Sequence, residues 1–347
     1  MSSSPDPGPQ ARAGVLLLRR LIAGDHLSEA ESAELIGAAM DGSLTPVQLA
    51  GLLVAIASKG ESVAEIAGAA RAMRERSVPV EHGLEMVVDV VGTGGDAANT
   101  INISTMAALV VAAAGIPVAK HGNRAASSAC GSADVLEAAG FPLELSPERS
   151  ARLLERTHFA FLFAPRYHPA MRNVAPVRRE LGVRTLFNVL GPLTNPARAT
   201  HQVVGVSRPE LLEPMGRVLQ ALGVRAGAVV HAQNGLDEVA GDVPTQIYAF
   251  DESGGRLWTL EPERVNVRTP LAQIVATSVD GCRAAFFGIL GGERSPRSEV
   301  VALNAAVVLH AIGAEPSLES AMERARALLA QGSALQTFEA AKELSHG

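Results

Sequence analysis

Aromatic side chains are nearly missing from this 347-residue chain: one Trp, two Tyr and nine Phe make up 3% of it, so a core has to be built from Ala, Val, Leu and Ile. Cysteine is as scarce. Cys130 and Cys282 stand far apart and match no metal-ligand or redox spacing, which excludes a disulfide or metal-stapled scaffold and leaves two ordinary intracellular thiols. No Lys/Arg-rich run occurs, and 30 basic against 36 acidic residues give a formal charge of -6, which argues against a protein that grips nucleic acid. A local anion site is compatible with that balance. The longest apolar run, residues 106–119, is too short to span a bilayer and contains Gly115 and Pro117. No secretory signal precedes it, so a soluble, cytoplasmic protein without a membrane partner is expected. What is present is 47% hydrophobic and 19% charged residues with a mean hydropathy of +0.18, the composition of a globular chain. At about 150 residues per domain, its length fits roughly two domains.

Residues 1–13 are rich in Ser, Pro and Gly and read as a mobile tail. Three helix starts follow in which a Ser or Thr cap stands three residues before Glu or Gln: Ser28 with Glu31, Thr45 with Gln48 and Ser62 with Glu65, with Pro46 suited to a first helical position. With the apolar stretch 15–22 they predict about four helices before Val78-Pro79, with no strand among them. From Met86 the texture changes to short β-branched runs alternating with Ala-rich segments. This pattern predicts α/β architecture: a mostly parallel sheet flanked by helices. Strands are expected at 86–91, 116–119, 159–163, 201–206, 226–231 and 244–250, and helices at 105–114, 133–139, from Ser146-Pro147, and at 168–181 up to Gly182. The fold class is thus a small all-helical domain plus a larger α/β domain.

The first candidate for chemistry is Gly92-Thr93-Gly94-Gly95-Asp96, directly after a strand, where an α/β sheet places ligands. Its glycines let the backbone approach an anion closely. Gly92, Gly94 and Ala97 also match a dinucleotide fingerprint, weakly, because residues 99–104 delay the helix and Lys120 stands where a ribose-binding acid would be needed. A turn without a ligand is the plain alternative. The second candidate, residues 120–132, puts Lys120, Arg124, three hydroxyls and two glycines at another strand end, a set that suits several phosphate oxygens. A solvated loop could look similar. Third, the adjacent carboxylates Asp237 and Glu238 follow an apolar strand and could take a hard divalent cation, although such pairs are usually solvated surface. Fourth, His168, Met171, Arg172, Ala175, Arg178 and Arg179 share a face at helical spacing. That face is either a solvated basic stripe or the source of a bidentate Arg for a carboxylate. The stretch 185–196 has too many turn formers for a helix and reads as a crossing between domains. His231 and His310 read as structural. No nucleophile–base arrangement is identifiable, which suits a reaction driven by a departing polyphosphate through positioning and electrostatics.

Taken together, GTGGD (92–96), NIST (102–105), KHGNRAASS (120–128), GSADVLEAAG (131–140), HPAMRNVAPVRRELGVRTLFNVLGPLTNP (168–196), GLDE (235–238) and LNAAVVL (303–309) resemble, in order and spacing, the anthranilate phosphoribosyltransferase family of tryptophan biosynthesis. The likeness runs from about residue 15 to the C-terminus. It implies a Mg2+-dependent glycosyltransferase joining anthranilate to phosphoribosyl pyrophosphate, with two Mg2+ ions, on a nucleoside phosphorylase type II fold. It also implies a homodimer contacting through the helical domains and leaves open association with a separate anthranilate synthase amidotransferase. The domains it suggests are residues 14–82 plus about 165–186, helical, and 83–164 plus about 187–347, α/β.

Residue by residue, the resemblance places Gly92, Gly95, Asp96, Thr100, Asn102, Ile103, Ser104 and Thr105 around phosphoribosyl pyrophosphate. Lys120, His121, Gly122, Asn123, Arg124, Ala125, Ala126, Ser127, Ser128 and Ser132 would hold its phosphates. Ser104, Asp237 and Glu238 match metal ligands. Gly92, Asn123, His168 and Arg178 match anthranilate contacts, with Arg178 at the carboxylate. The chain departs from the usual pattern at Ala129-Cys130 and at residues 240–243. A pyrimidine nucleoside phosphorylase resembles the same fold but lacks the HPAM...VRRELG run. A silent paralogue that binds nucleic acid or a partner is disfavoured by the net acidity and by Asp237-Glu238.

Overall fold

The computed structural model describes residues 9–96, 98–125 and 128–346, with side chains from residue 14 onward. In chain order the elements are α1 (Pro9–Ile22), α2 (Glu29–Met40), α3 (Pro46–Lys59), α4 (Val63–Glu75), β1 (Val88–Gly92), α5 (Ile103–Ala113), β2 (Val118–Gly122), α6 (Ser132–Ala138), α7 (Pro147–Thr157), β3 (Phe159–Phe163) and α8 (Ala164–Tyr167). A 3-10 turn (Pro169–Asn173) precedes α9 (Ala175–Leu181) and α10 (Phe187–Leu190). Then come β4 (His201–Gly205), α11 (Leu212–Ala221), β5 (Ala226–Ala232), β6 (Thr245–Asp251), β7 (Gly254–Leu260), α12 (Val279–Leu290), α13 (Pro296–Ala311), α14 (Leu318–Ala330) and α15 (Ser333–His346). The chain divides into two compact units, residues 1–77 with 168–194, and residues 78–167 with 195–347. No helix among the described residues is long and apolar enough to cross a membrane.

The first unit is helical. All three capping boxes form, at Ser28 with Glu31, Thr45 with Gln48 and Ser62 with Glu65, and Pro46 opens α3. Helix α1 begins at Pro9, inside the stretch expected as a tail. The run 168–181 is not one helix: it breaks at Val174 into the 3-10 turn and α9, each with Pro in its first turn. Pro176 has no N–H to donate to the Arg172 carbonyl, so the helical ladder that spacing suggested cannot run through this join, and proline is tolerated only in the first turn of α9.

The second unit carries a seven-stranded sheet in the order β3-β2-β1-β4-β5-β6-β7. Strands β1 to β5 run parallel to their neighbours, while β5-β6-β7 are antiparallel. β2 continues past its expected end to Gly122, because Lys120 and His121 are buried within the strand rather than ending it, and β1 ends one residue later than expected, at Gly92. β7 went unread since its side chains are mostly exposed at the sheet edge and show no apolar alternation. α5 and α13 are apolar nearly all round and buried accordingly. The few aromatics gather: Phe286 and Phe338 stack edge-on at 5.0 Å, and Phe141 and Phe287 each lie 6.2 Å from Phe338.

Candidate active site

In the α/β unit, the glycine loop leaves β1 at Gly92 beside the end of β4. A Cβ on Gly92 would stand 2.3 Å from Asp237 Oδ2, and one on Gly205 would stand 1.5 Å from the Asp237 carbonyl oxygen. Only glycine lets the segment after β5 lie this close to both strand ends. The contact is used: the Gly94 N–H donates to Asp237 Oδ2 at 2.6 Å, and Thr93 N–H to the Gly205 carbonyl at 2.9 Å.

Asp237 is therefore buried rather than solvated, as an acidic pair more often is. Burial pushes its carboxyl well above the usual range, and the neighbouring Glu238 and Asp96 carboxylates push it the same way, against the Gly94 N–H. Burial likewise lifts Glu238 to about 7, with Lys120 and Ser104 opposing. The Ser104 N–H, in the first turn of α5, donates to Glu238 Oε1 at 3.1 Å. Lys120 is 2% exposed; its Nζ donates to the Val90 carbonyl at 2.5 Å and to Ser104 Oγ at 3.3 Å. Burial lowers its pKa while Asp89, Glu238 and Asp237 hold it up. Two further polar atoms at the start of α5, Asn102 Oδ1 and Thr105 Oγ1, are buried without a hydrogen-bond partner.

This donor set fits a magnesium-bound polyphosphate. Among the described residues no three His, Cys, Asp or Glu side chains form a metal cage. Mg2+ does not need one: it keeps several waters and is held by one or two carboxylates together with substrate phosphates. Asp237, Glu238 and the Ser104 hydroxyl offer that many oxygens, and a cation there would relieve the crowding of carboxylates.

The second loop is organised by a residue that spacing did not flag. Asp134 Oδ2 accepts the N–H groups of Ala125 at 3.0 Å and Gly131 at 2.8 Å, pinning both limbs of the loop. Arg124 lies along α6, with Nη1 2.7 Å from Glu137 Oε2 and 3.1 Å from Asp134 Oδ1, and its guanidinium over the Phe163 ring at 5.7 Å. Its charge is thus already paired. Asn123 Oδ1 accepts the Arg124 N–H, Ser132 Oγ donates to the Asn123 carbonyl, and Asn123 and Ser128 are exposed. His121 is buried, Gly95 lies within the glycine loop, Thr100 forms an isolated bridge with Val275, and Ala97, Ala126 and Ser127 lie outside the described residues. The unusual Cys130 is buried and free, as is Cys282.

In the helical unit, His168 is buried, and burial drops it to about 4, so it is neutral at ordinary pH. Arg178 is half-buried; its Cζ sits 5.3 Å from the Phe187 ring centre, and burial lowers its pKa. Among the described residues no carboxylate acts on it. Arg172 and Arg179 are exposed, so only one arginine of the expected face is held in place. His231 Nδ1 contacts the Val206 carbonyl at 2.8 Å and His310 Nδ1 the Glu315 carbonyl at 3.2 Å, both in structural roles.

Comparison with known proteins gives the same division. Residues 15–77 match the helical bundle domain of a glycosyl transferase family and residues 84–335 its a/b domain. Anthranilate phosphoribosyltransferase of Thermomicrobium roseum is 47% identical over 335 residues, covering 95% of this chain and 96% of that protein. The crystal structure of anthranilate phosphoribosyltransferase from Thermus thermophilus superposes with a TM-score of 0.91 at 45% identity, over 95% of this chain and 99% of that one. The Saccharomyces cerevisiae enzyme in complex with PRPP and Mg shares the fold, with a TM-score of 0.88 at 24% identity over 96% of this chain and 98% of that one. Identity at the level of the bacterial relatives, over nearly the whole length, means that the chain belongs to the anthranilate phosphoribosyltransferase family.

Proposed function

We propose that the protein transfers the phosphoribosyl group of phosphoribosyl pyrophosphate to the amine of anthranilate, giving N-(5-phosphoribosyl)anthranilate and diphosphate in tryptophan biosynthesis. The observation that carries this reading is the meeting of Lys120 Nζ, Ser104 and the Asp237-Glu238 pair beside the Gly92–Gly95 loop. Displacement at the anomeric carbon passes through an oxocarbenium-like state in which negative charge grows on the leaving diphosphate. Lys120 and the backbone of the glycine loop would stabilise that charge. Bound Mg2+, which we infer to be two ions held through Ser104, Asp237, Glu238 and the substrate, neutralises the diphosphate further.

Residues 120–125, with Ser128 and Ser132, would cradle phosphate oxygens, Asp134 fixing the loop they sit on. Gly92 and Asn123 would meet the aromatic amine, Arg178 would take its carboxylate and neutral His168 would line its approach. Arylamines attack as the neutral species, so no protein base is required, and the proton leaves late to solvent or diphosphate. We also infer a homodimer through the helical unit, supported by Leu16, Ile22 and Val47, exposed at 61%, 72% and 83% on α1 and α3.

The test is anthranilate fluorescence on mixing the protein with phosphoribosyl pyrophosphate. A magnesium-dependent loss of signal is expected. No loss from folded protein that still binds phosphoribosyl pyrophosphate would overturn the acceptor assignment.

A further inference from the structure

Strands β1 and β4 are in register over five residues, and so are β2 and β3, but β1 and β2 are in register only at Val88 and Val118. Beyond that pair the seam between them is held by side chains. The His121 N–H donates to Asp89 Oδ1 at 3.2 Å, the Ala119 carbonyl accepts from Asn195 Nδ2 at 2.7 Å, and the Val90 carbonyl accepts from Lys120 Nζ at 2.5 Å. Asp89 is wholly buried in the middle of β1; its second oxygen accepts from Gln202 Nε2 on β4 at 3.4 Å, and Asn195 hydrogen-bonds it as well. Burying a carboxylate in an apolar strand is costly unless the group is bonded and paired; here it has the His121 N–H, Asn195, Gln202 and the nearby Lys120 charge, so its place in the strand calls for a role beyond packing. The backbone it holds is that of His121, one residue after Lys120 and at the root of the loop from Asn123 to Ser132.

We propose that Asp89 is a positioning residue for the phosphoribosyl pyrophosphate site: by accepting the His121 N–H in place of a ladder partner, it fixes where β2 ends and hence where Lys120 and the phosphate loop stand. The role rests on the reading of function above only for the identity of the ligand. Asp89 touches no substrate; it acts through β2.

The experiment compares Asp89→Val, which keeps approximate size but removes the acceptor, with Asp89→Asn, which keeps an acceptor for the His121 N–H. For Asp89→Val, loss of a hydrogen bond to a charged group predicts a KM for phosphoribosyl pyrophosphate raised about tenfold, with the anthranilate KM within about twofold. Asp89→Asn should restore it to within about threefold of the parent on the same scale. An Asp89→Val enzyme with an unchanged phosphoribosyl pyrophosphate KM overturns the proposal, as does a parallel rise in both KM values that Asp89→Asn does not rescue. Should Asp89→Val fail to fold, Gln202→Leu probes the same carboxylate from β4. A selective rise of at least about threefold in the phosphoribosyl pyrophosphate KM supports the role, and no rise overturns it. If the parent protein shows no turnover, the functional reading fails separately; calorimetric binding of phosphoribosyl pyrophosphate with Mg2+ then compares parent and variants.

Discussion

Arg178 shows what a single side chain has to satisfy here. Stacked on Phe187, half-buried and without a carboxylate partner among the described residues, its guanidinium keeps its planar fork for a ligand. A lysine offers a point charge and cannot reproduce bidentate geometry or the stacking. Arg178→Lys should therefore raise the anthranilate KM about tenfold while leaving the KM for phosphoribosyl pyrophosphate in place. Steady-state kinetics with each substrate varied decides it, and an unaltered anthranilate KM removes Arg178 from the site. Which residues were legible in sequence follows from their chemistry. Lys120, Asp237 and the glycines sit in motifs whose composition announces an anion and a cation. Asp89 and Asp134 were missed, since one lies inside an apolar strand and the other looks like an ordinary first-turn acid; their partners are backbone N–H groups that no spacing rule names. The one signal was available in MVVDVV, a single charge in a run that should bury.

Among the elements, Glu65 ties three pieces of the helical unit together. Wholly buried at the third position of α4, it accepts from Leu27 N–H at 2.9 Å, Ser62 N–H at 2.8 Å and Lys59 Nζ at 2.7 Å. Burial alone would raise its pKa, but these donors together hold it down from 4.5 to about 2. A carboxyl whose folded pKa is depressed stabilises the fold above its unfolded value. That contribution should be complete above about pH 4.5 and fall away as the pH drops toward 2. Glu65→Gln should cost about 2 kcal/mol at neutral pH and flatten that acid limb, measured by urea unfolding between neutral pH and pH 3. An acid limb equal to that of the parent would show that the ion pair adds nothing. Sequence read this element well because a capping box is local. It misread residues 168–181 as one helix because the periodicity survives the interruption at Val174 although the backbone does not.

For the whole molecule, the exposed Leu16, Ile22 and Val47 carry the proposal of self-association, because large apolar side chains on a helical surface are costly to leave in water. Sedimentation equilibrium should give twice the 36.0 kDa chain mass, and Leu16→Glu with Val47→Glu should return it to the monomer. A monomeric parent protein refutes this. The sequence by itself determined the α/β class with its helical companion, three of the helix starts, the central strands and the glycine, lysine and carboxylate motifs, because each depends on local periodicity, capping or composition. Tertiary structure decided the rest. It extended β2 through Lys120 and His121 by burying and bonding them, placed the exposed edge strand β7, and paired Arg124 with Glu137 instead of leaving it open. It also brought Asp237, over a hundred residues away in sequence, against Gly92 and Gly94. Such contacts depend on which strand ends lie side by side in the sheet, and strand order is a property of the folded chain, not of any one segment.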